Sequence, residues 1–331
     1  MSLKIIKAGI MDTIQDGGRY GHQHLGINPN GAMDRYAMQV ANALVGNELN
    51  EAVIELHFPA SVFMFSQPAL IALSGADFSA SINGEPVPNL HCIAVNKNDA
   101  LQFHRPLHGA RAYLAVRGGL EAIDWLQSKS TNLKAGVGGY KGRSLEKGDE
   151  IRIKRKEETL PFLKEEEFKV LPWSADIKFC ENTKELLVLP GSEWDRLTGE
   201  AKDLFISTPF IVTKQSDRMG YRLLNNPLQA VTNEEMISSA VCFGTIQLLP
   251  DGKLIVLMAD HQTAGGYPKV ATVITAHHSR LAQLKAGDGI WFRLADHATA
   301  EEMLGRQQQH LQQLQNACIL KLQNYLYAPI H

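Results

Sequence analysis

One device recurs three times along this 331-residue chain and restricts what it can fold into. A small polar turn leads directly into a strand of alternating character: KNDALQF at 97–103, KGDEIRI at 147–153 and AGDGIWF at 286–292. Asn or Gly followed by Asp is turn chemistry, and a period of two afterwards sends successive side chains to opposite faces of a sheet. Copies in both halves of the sequence predict a duplicated β-module.

The remaining pattern agrees. Leu254–Leu257 and Val270–Ile274 read as buried strands, short and β-branched, around the polar segment MADHQTAGGYPK at 258–269. The uncharged run at 58–76 approaches membrane-spanning length, but Pro59, Ser61, Ser66, Gln67 and Pro68 interrupt it. It reads as two core strands around a Gln-Pro turn. Helical spacing is confined to two places. Over 33–45, Tyr36, Ala37, Val40, Ala41 and Leu44 share a face, with Gly46 placed as a C′ glycine, Asn30 as the expected cap and Asp34 near the first turn. Over 298–328, a Thr299-to-Glu302 capping box opens a glutamine-rich rod striped by Leu304, Leu311, Leu314, Cys318, Leu322 and Tyr325. The expected organisation is a first β-module over 1–155, a charged connection over 156–169, a second β-module over 170–297, and the long C-terminal helix over 298–328, packed along its own domain, with a partner-binding helix as the alternative.

With 33 basic and 35 acidic side chains the formal charge is −2, so no cationic surplus exists to bind a phosphate backbone, and nucleic acid is excluded as an expected partner. Cys92, Cys180, Cys242 and Cys318 are scattered, which is neither a disulfide framework nor a zinc site. With no long apolar stretch near Met1, a cytoplasmic protein is expected, with no membrane association.

Several segments carry chemistry. TIQDGGRYGHQHLG at 13–26 brings an amide, an acid and a guanidinium together, and NPNGAMDR at 28–35 and KQSDRMGYRL at 214–223 each hold an Asp-Arg dipeptide beside Met and Gly. Arginine is the usual choice for planar recognition of a carboxylate. AGVGGYKGRS at 135–144 fits neither the P-loop nor the dinucleotide fingerprint. The histidine pairs 22/24, 104/108 and 277/278 lack zinc-ligand spacing, so no metal is expected. A biotin-acceptor Met-Lys and a Gly-x-Ser-x-Gly elbow are both absent.

These segments together resemble the allophanate hydrolase subunit 2-like, or biotin-dependent carboxyltransferase-like, family, which includes KipA and the C component of bacterial 5-oxoprolinase. The matching pieces run in order from TIQDGGRYGHQHLGINPNGAMDRYAMQVANALVGN (13–47) through RAYLAVRGGL (111–120), STNLKAGVGGYKGRSLEKGD (130–149) and SDRMGYRL (216–223) to GTIQLLPDGKLIVLMADHQTAGGYPKVATVI (244–274) and LAQLKAGD (281–288). The resemblance implies two cyclophilin-like β-barrel modules. It also implies a role in an ATP-dependent 5-oxoprolinase complex that hydrolyses 5-oxo-L-proline to L-glutamate. ATP is used by the complex and no cofactor is assigned to this chain; the implied partners are a KipI-like protein and a lactam-utilisation-type protein. A urea or allophanate carboxyltransferase component, and a KipA-like antagonist of a KipI-like kinase inhibitor, share the same resemblance.

Carried over by position, the family's polar signature falls on Gln15, Asp16, Arg19, Gly31, Asp34, Ser216, Asp217, Arg218, Met219, Gly220, Asp260, Gln262, Thr263, Gly265, Gly266 and Tyr267. His261 stands where arginine is frequent, and Asn30 where serine is. The resemblance makes Asp260, Gln262 and Thr263 the expected catalytic group. Substrate contacts are expected from Gln15, Asp16, Arg19, Asp34, Ser216, Asp217, Arg218, Gly265, Gly266 and Tyr267. A lactam bearing a carboxylate asks for amides, a guanidinium and an acid: Gln15 and Gln262 for the lactam amide, Arg19 or Arg218 for the carboxylate, Asp260 as general base or water-orienting group. The plainer alternative has Asp260 and Thr263 satisfying buried turn backbone.

Overall fold

The computed structural model describes residues 2–154, 160, 162–164, 167–177, 184–232 and 236–327. The protein is mainly β, as the alternation predicts, and divides into two compact units that are not simple halves of the sequence. Among the described residues the first unit draws on Met1–Gly18, Asp34–Ile177 and Gln308–His331, and the second on Arg19–Met33 and Lys178–Gln307. Half of the charged connection expected over 156–169 lies outside the described residues. Strand Lys169–Ser174 pairs antiparallel with His91–Val95, so residues just past that connection belong to the first unit.

The recurring device turns out to be one turn used three times. Asn98, Gly148 and Gly287 all adopt positive φ, at 70°, 90° and 94°. The Asp that follows each folds its carboxylate back onto a backbone N–H three residues earlier. Asp99 accepts from Asn96 at 2.6 Å, Asp149 from Glu146 at 2.7 Å and Asp288 from Lys285 at 2.9 Å. Gly or Asn supplies the left-handed residue and Asp supplies the local acceptor, which is why the two types recur together.

In the first unit, two six-stranded sheets enclose an apolar core. One sheet runs in the order Glu150–Arg152, Ser2–Lys7, Val62–Phe65, Ala100–Phe103, Ala80–Ile82, Glu85–Pro86. The other runs Lys169–Ser174, His91–Val95, Ala69–Asp77, His108–Val116, Val53–Leu56, Thr13–Gln15. The uncharged run therefore does form two core strands, and the turn at Ser66–Pro68 carries the chain from one sheet to the other. Phe63, Phe65, Ile71 and Leu114 are among the buried residues between the sheets.

Helix Arg35–Leu44 buries Tyr36, Ala37, Val40, Ala41 and Leu44, the face read from its spacing. Its cap is Asp34, whose side chain accepts from the Ala37 N–H at 2.9 Å. Asn30, the expected cap, lies too far upstream: it sits at φ 57° with its side-chain oxygen on the Gly31 N–H. Gly46 ends the helix at φ 69°, as expected of a C′ glycine.

The C-terminal helix spans His297–Tyr327. Asp296 caps it by accepting from the Thr299 N–H at 2.8 Å, so Thr299 is inside the helix and is not its capping residue. From Gln308 onward the helix packs on the first unit. Tyr325 meets the Trp173 ring edge-on at 5.2 Å, and Gln315 donates to the Asn47 carbonyl at 2.9 Å. Leu311, Cys318 and Leu322 are buried, which is the intramolecular account of the stripe. Among the described residues no helix is long and apolar enough to cross a membrane.

The second unit is a closed barrel in the order Glu185–Pro190, Lys269–Val273, Thr245–Leu248, Leu254–Leu257, Gly220–Leu224, Phe210–Val212, Gly289–Leu294, the last strand closing on the first in parallel. Phe205, from helix Gly199–Ser207, stacks on Phe292 at 5.0 Å in its core. His277 and His278 lie on a 3₁₀ turn and a short helix.

His277 gives the second unit a pH dependence. Its Nδ1 accepts the Leu187 N–H at 2.9 Å, and burial, followed by the charge of Arg280, pushes its pKa down to about 4. The unfolded chain therefore takes up this proton first, between about 6.5 and about 4. Its contribution to stability is complete above the unfolded pKa and is lost as pH falls through that window, about 3 kcal/mol in all. His277→Gln should flatten the acid side of the second unit's stability profile. Parallel wild-type and variant curves between pH 7 and 4 would contradict this.

Candidate functional site

The site grows out of strand register. In the second unit Gly220 pairs with Leu257, and the pairing continues past the strand ends: Met258 N–H donates to the Met219 carbonyl at 3.1 Å and Asp260 N–H to the Arg218 carbonyl at 2.8 Å. Arg218 and Asp260, 42 residues apart in sequence, are thereby side by side. The guanidinium engages both carboxylate oxygens, Nε to Oδ2 and Nη2 to Oδ1, each at 3.0 Å, and Nη2 also donates to the Gly31 carbonyl at 2.6 Å. This forked pair is largely desolvated, at 7% and 17% side-chain exposure. To act as a base, Asp260 would have to give up a guanidinium contact; as placed, it orients Arg218.

The neighbouring signature residues shape this loop. Asp217 Oδ1 accepts from the Met219 and Gly220 N–H groups at 2.8 and 3.2 Å, and Ser216 Oγ accepts from the Arg222 N–H at 3.0 Å. On the other strand end, the Thr263 carbonyl accepts from the Val241 N–H at 3.3 Å, and Ala264–Gly265 pairs with Ser239–Ala240. His261 is buried, with Nδ1 on the Gln262 carbonyl at 2.5 Å. Gly265 makes room: a Cβ there would stand 2.5 Å from Nε2 of Gln247. Tyr267 is half exposed.

Asp217, Met219, Gly220, Gln262 and Tyr267 line one groove of about 460 Å³ on the barrel's outer wall. Sequence reasoning missed the residues that form its floor. Arg222 faces Ile255, and Ile255 faces Gln247, across three adjacent strands. Tyr221, Leu223, Ile246, Leu248 and Val256 point into the barrel core, so alternation turns this row outward. The signal was present as a polar residue between apolar ones in Tyr221-Arg222-Leu223 and Ile246-Gln247-Leu248. A second groove, of about 540 Å³ and lined by Leu228, Met236 and Pro268, shares Tyr267.

Of the remaining signature residues, Asp34, Asp16 and Gln15 hydrogen-bond to other groups of the protein in this arrangement. Arg19, in the second unit, is buried, and its backbone N–H donates to the Pro29 carbonyl at 2.7 Å. In the first unit, Asp34 caps a helix, and its own N–H donates to Tyr113 Oη at 2.7 Å, which in turn donates to Glu55 at 2.8 Å. Burial, then the Glu55 charge, holds the Tyr113 hydroxyl pKa well above the usual tyrosine value. Asp16 accepts from the Gly18 N–H, Ser128 Oγ, the Lys129 N–H and Ser130 Oγ at 2.8, 2.7, 2.6 and 2.5 Å. Gln15 is fully buried, its amide donating to Thr13 Oγ1 and the Thr131 carbonyl at 3.0 and 3.2 Å. Among the described residues no group of three or more His, Cys, Asp or Glu side chains is arranged to hold a metal ion.

Fold and site together define a mainly β protein of two units, with a polar groove on the outer wall of the second unit's barrel. Residues 25–294 match the family described as carboxyltransferase domain, subdomain A and B, and the chain belongs to that family. It is 36% identical over 313 residues to the C component of 5-oxoprolinase from Escherichia coli (strain K12), covering 94% of this chain and 97% of that one. The corresponding 5-oxoprolinase component of Haemophilus influenzae is 32% identical over 302 residues, 91% of this chain and 94% of that one. In structure, the chain resembles part of the urea amidolyase of K. lactis, with a TM-score of 0.86 and 25% identity over 95% of this chain; it spans only 20% of that longer protein.

Proposed function

We propose that this chain is one component of an ATP-dependent 5-oxoprolinase, acting with partner proteins to hydrolyse 5-oxo-L-proline to L-glutamate. The observation that carries this reading is the end-to-end correspondence with two proteins named as 5-oxoprolinase components, at 97% and 94% of their lengths. The groove chemistry fits: Gln262 and Gln247 offer carboxamides and Arg222 a guanidinium. In this reading Gln262 touches the lactam, while Asp260 acts through Arg218 and Thr263 through the turn it anchors. The partners are a KipI-like protein and a lactam-utilisation-type protein, and the assembly works in the cytoplasm.

A carboxyltransferase role in a urea pathway is the second reading, favoured by the fold shared with urea amidolyase. The partial coverage of that protein, against near-complete coverage of the 5-oxoprolinase components, ranks it second. The purified chain alone should release no glutamate from 5-oxo-L-proline, with or without ATP. Asp260, the expected base, is held by Arg218, and the Gly-rich segment at 135–144 lacks a P-loop's Gly-Lys-Ser/Thr ending. Steady glutamate release by the isolated protein would contradict this assignment of roles.

A further inference from the structure

A lactam differs from a peptide in one recognisable way. Ring closure forces its N–H and C=O onto the same edge, whereas a trans peptide points them in opposite directions. A primary carboxamide offers the complementary pair on one edge of its own, so two antiparallel hydrogen bonds form at once. A site for a small carboxylated lactam therefore needs a carboxamide short of partners, an apolar surface for the ring methylenes and a guanidinium outside any ion pair.

The groove floor holds these three in one row. Gln247 is 1% exposed, yet among the described residues its amide makes only two hydrogen bonds, both long: Nε2 to the Tyr267 carbonyl at 3.4 Å, and Oε1 from Gln262 Nε2 at 3.5 Å. Ordinary bonds of this kind run at about 2.7–3.2 Å, so this buried amide is under-satisfied. Ile255, the next residue in the row, lines the same groove. Arg222, beyond it, forms no ion pair among the described residues, in contrast with Arg218, whose guanidinium is held by Asp260 and Gly31. Neighbouring strands lie about 4.8 Å apart, so Gln247 and Arg222 flank a gap of about 10 Å, which an arginine side chain shortens to the width of a small ring with its carboxylate.

We infer that the row Gln247–Ile255–Arg222 is the substrate floor: Gln247 pairs with the cis-amide edge, Ile255 receives the ring methylenes, and Arg222 binds the carboxylate. The inference rests on the proposed function and sharpens it, moving the carboxylate contact from Arg19 or Arg218 to Arg222. Gly265 is the positioning residue, because a Cβ there would push on the Gln247 amide. Urea presents the same cis edge without a carboxylate, so the row also separates the two substrate classes.

The test is titration of the full-length chain with four probes, 5-oxo-L-proline, 2-pyrrolidinone, N-methyl-2-pyrrolidinone and urea, followed by ligand-observed NMR. Wild type should bind 5-oxo-L-proline tightest, 2-pyrrolidinone and urea less well, and the N-methyl compound, which lacks the N–H, least. Arg222→Gln should weaken 5-oxo-L-proline about tenfold or more, to the level of 2-pyrrolidinone, and leave 2-pyrrolidinone unchanged. Gln247→Leu should weaken all three N–H-bearing probes about tenfold. Gly265→Ala, which keeps the amide but displaces it, should weaken them in the wild-type background and add nothing to Gln247→Leu, a pattern that a folding defect does not produce. The inference is overturned if the wild-type chain binds none of the probes, if it fails to distinguish 2-pyrrolidinone from its N-methyl derivative, or if Arg222→Gln and Gln247→Leu both bind 5-oxo-L-proline as wild type does. Failure of the functional reading is separate: it shows as a wild-type reconstituted complex that releases no glutamate, whatever the isolated chain binds.

Discussion

Arg218→Ala is expected to destabilise the second unit by about 3 kcal/mol, the lower end of the range for breaking a buried ion pair, because Asp260 retains some solvent contact. The substitution strands the Asp260 carboxylate and frees the Gly31 carbonyl, and so loosens two loops at once. Asp260→Asn should produce much of the same loss, since an amide NH₂ facing a guanidinium repels where the carboxylate attracted. Thermal unfolding of both variants checks this. A general-base role for Asp260 predicts the opposite pattern, with stability held and turnover in the reconstituted complex reduced by about 10²-fold or more. Turnover that falls only as far as the folded population does would leave Asp260 as the anchor of Arg218.

Asp16→Ala should be as damaging in the first unit, costing about 3–5 kcal/mol. Four donors converge on this carboxylate, two of them backbone N–H groups at Gly18 and Lys129 that cannot rotate to find another acceptor. Each buried donor left without a partner costs about 1–3 kcal/mol, and the Ser128 and Ser130 hydroxyls recover part of theirs by rotating. A substrate-binding role for Asp16 predicts a normal unfolding profile with weakened ligand binding. Urea denaturation followed through a first-unit tryptophan, Trp125 or Trp173, distinguishes the two outcomes.

What was legible in the sequence was local. Turn chemistry marked Asn98, Gly148 and Gly287, alternation marked the strands, and 3.6-residue spacing marked the face of Arg35–Leu44. Caps were harder, because several side chains near a helix start compete. Asp34 and Asp296 took the positions that Asn30 and Thr299 were expected to hold, since each Asp directly precedes the first helical residue. The composition of the units was not legible, because residues 19–33 and the chain after Gln308 are assigned by contacts distant in sequence. The same limit hid the groove floor. Arg222, Ile255 and Gln247 are polar or apolar punctuation in three separate strands until pairing register aligns them. Family signature residues were legible as a set, but not their division of labour: Asp16, Asp34 and Asp217 spend their carboxylates on backbone N–H groups.

The central claim, that this chain is required for opening a lactam, is tested most directly by reconstitution with one component omitted at a time. Glutamate release from 5-oxo-L-proline is measured with ATP, this chain, a KipI-like protein and a lactam-utilisation-type protein. The account predicts steady release, coupled to ATP consumption, only when all three proteins are present, with release falling to background when this chain is left out. Undiminished release without it, or turnover confined to urea with a biotinylated partner, would contradict the account.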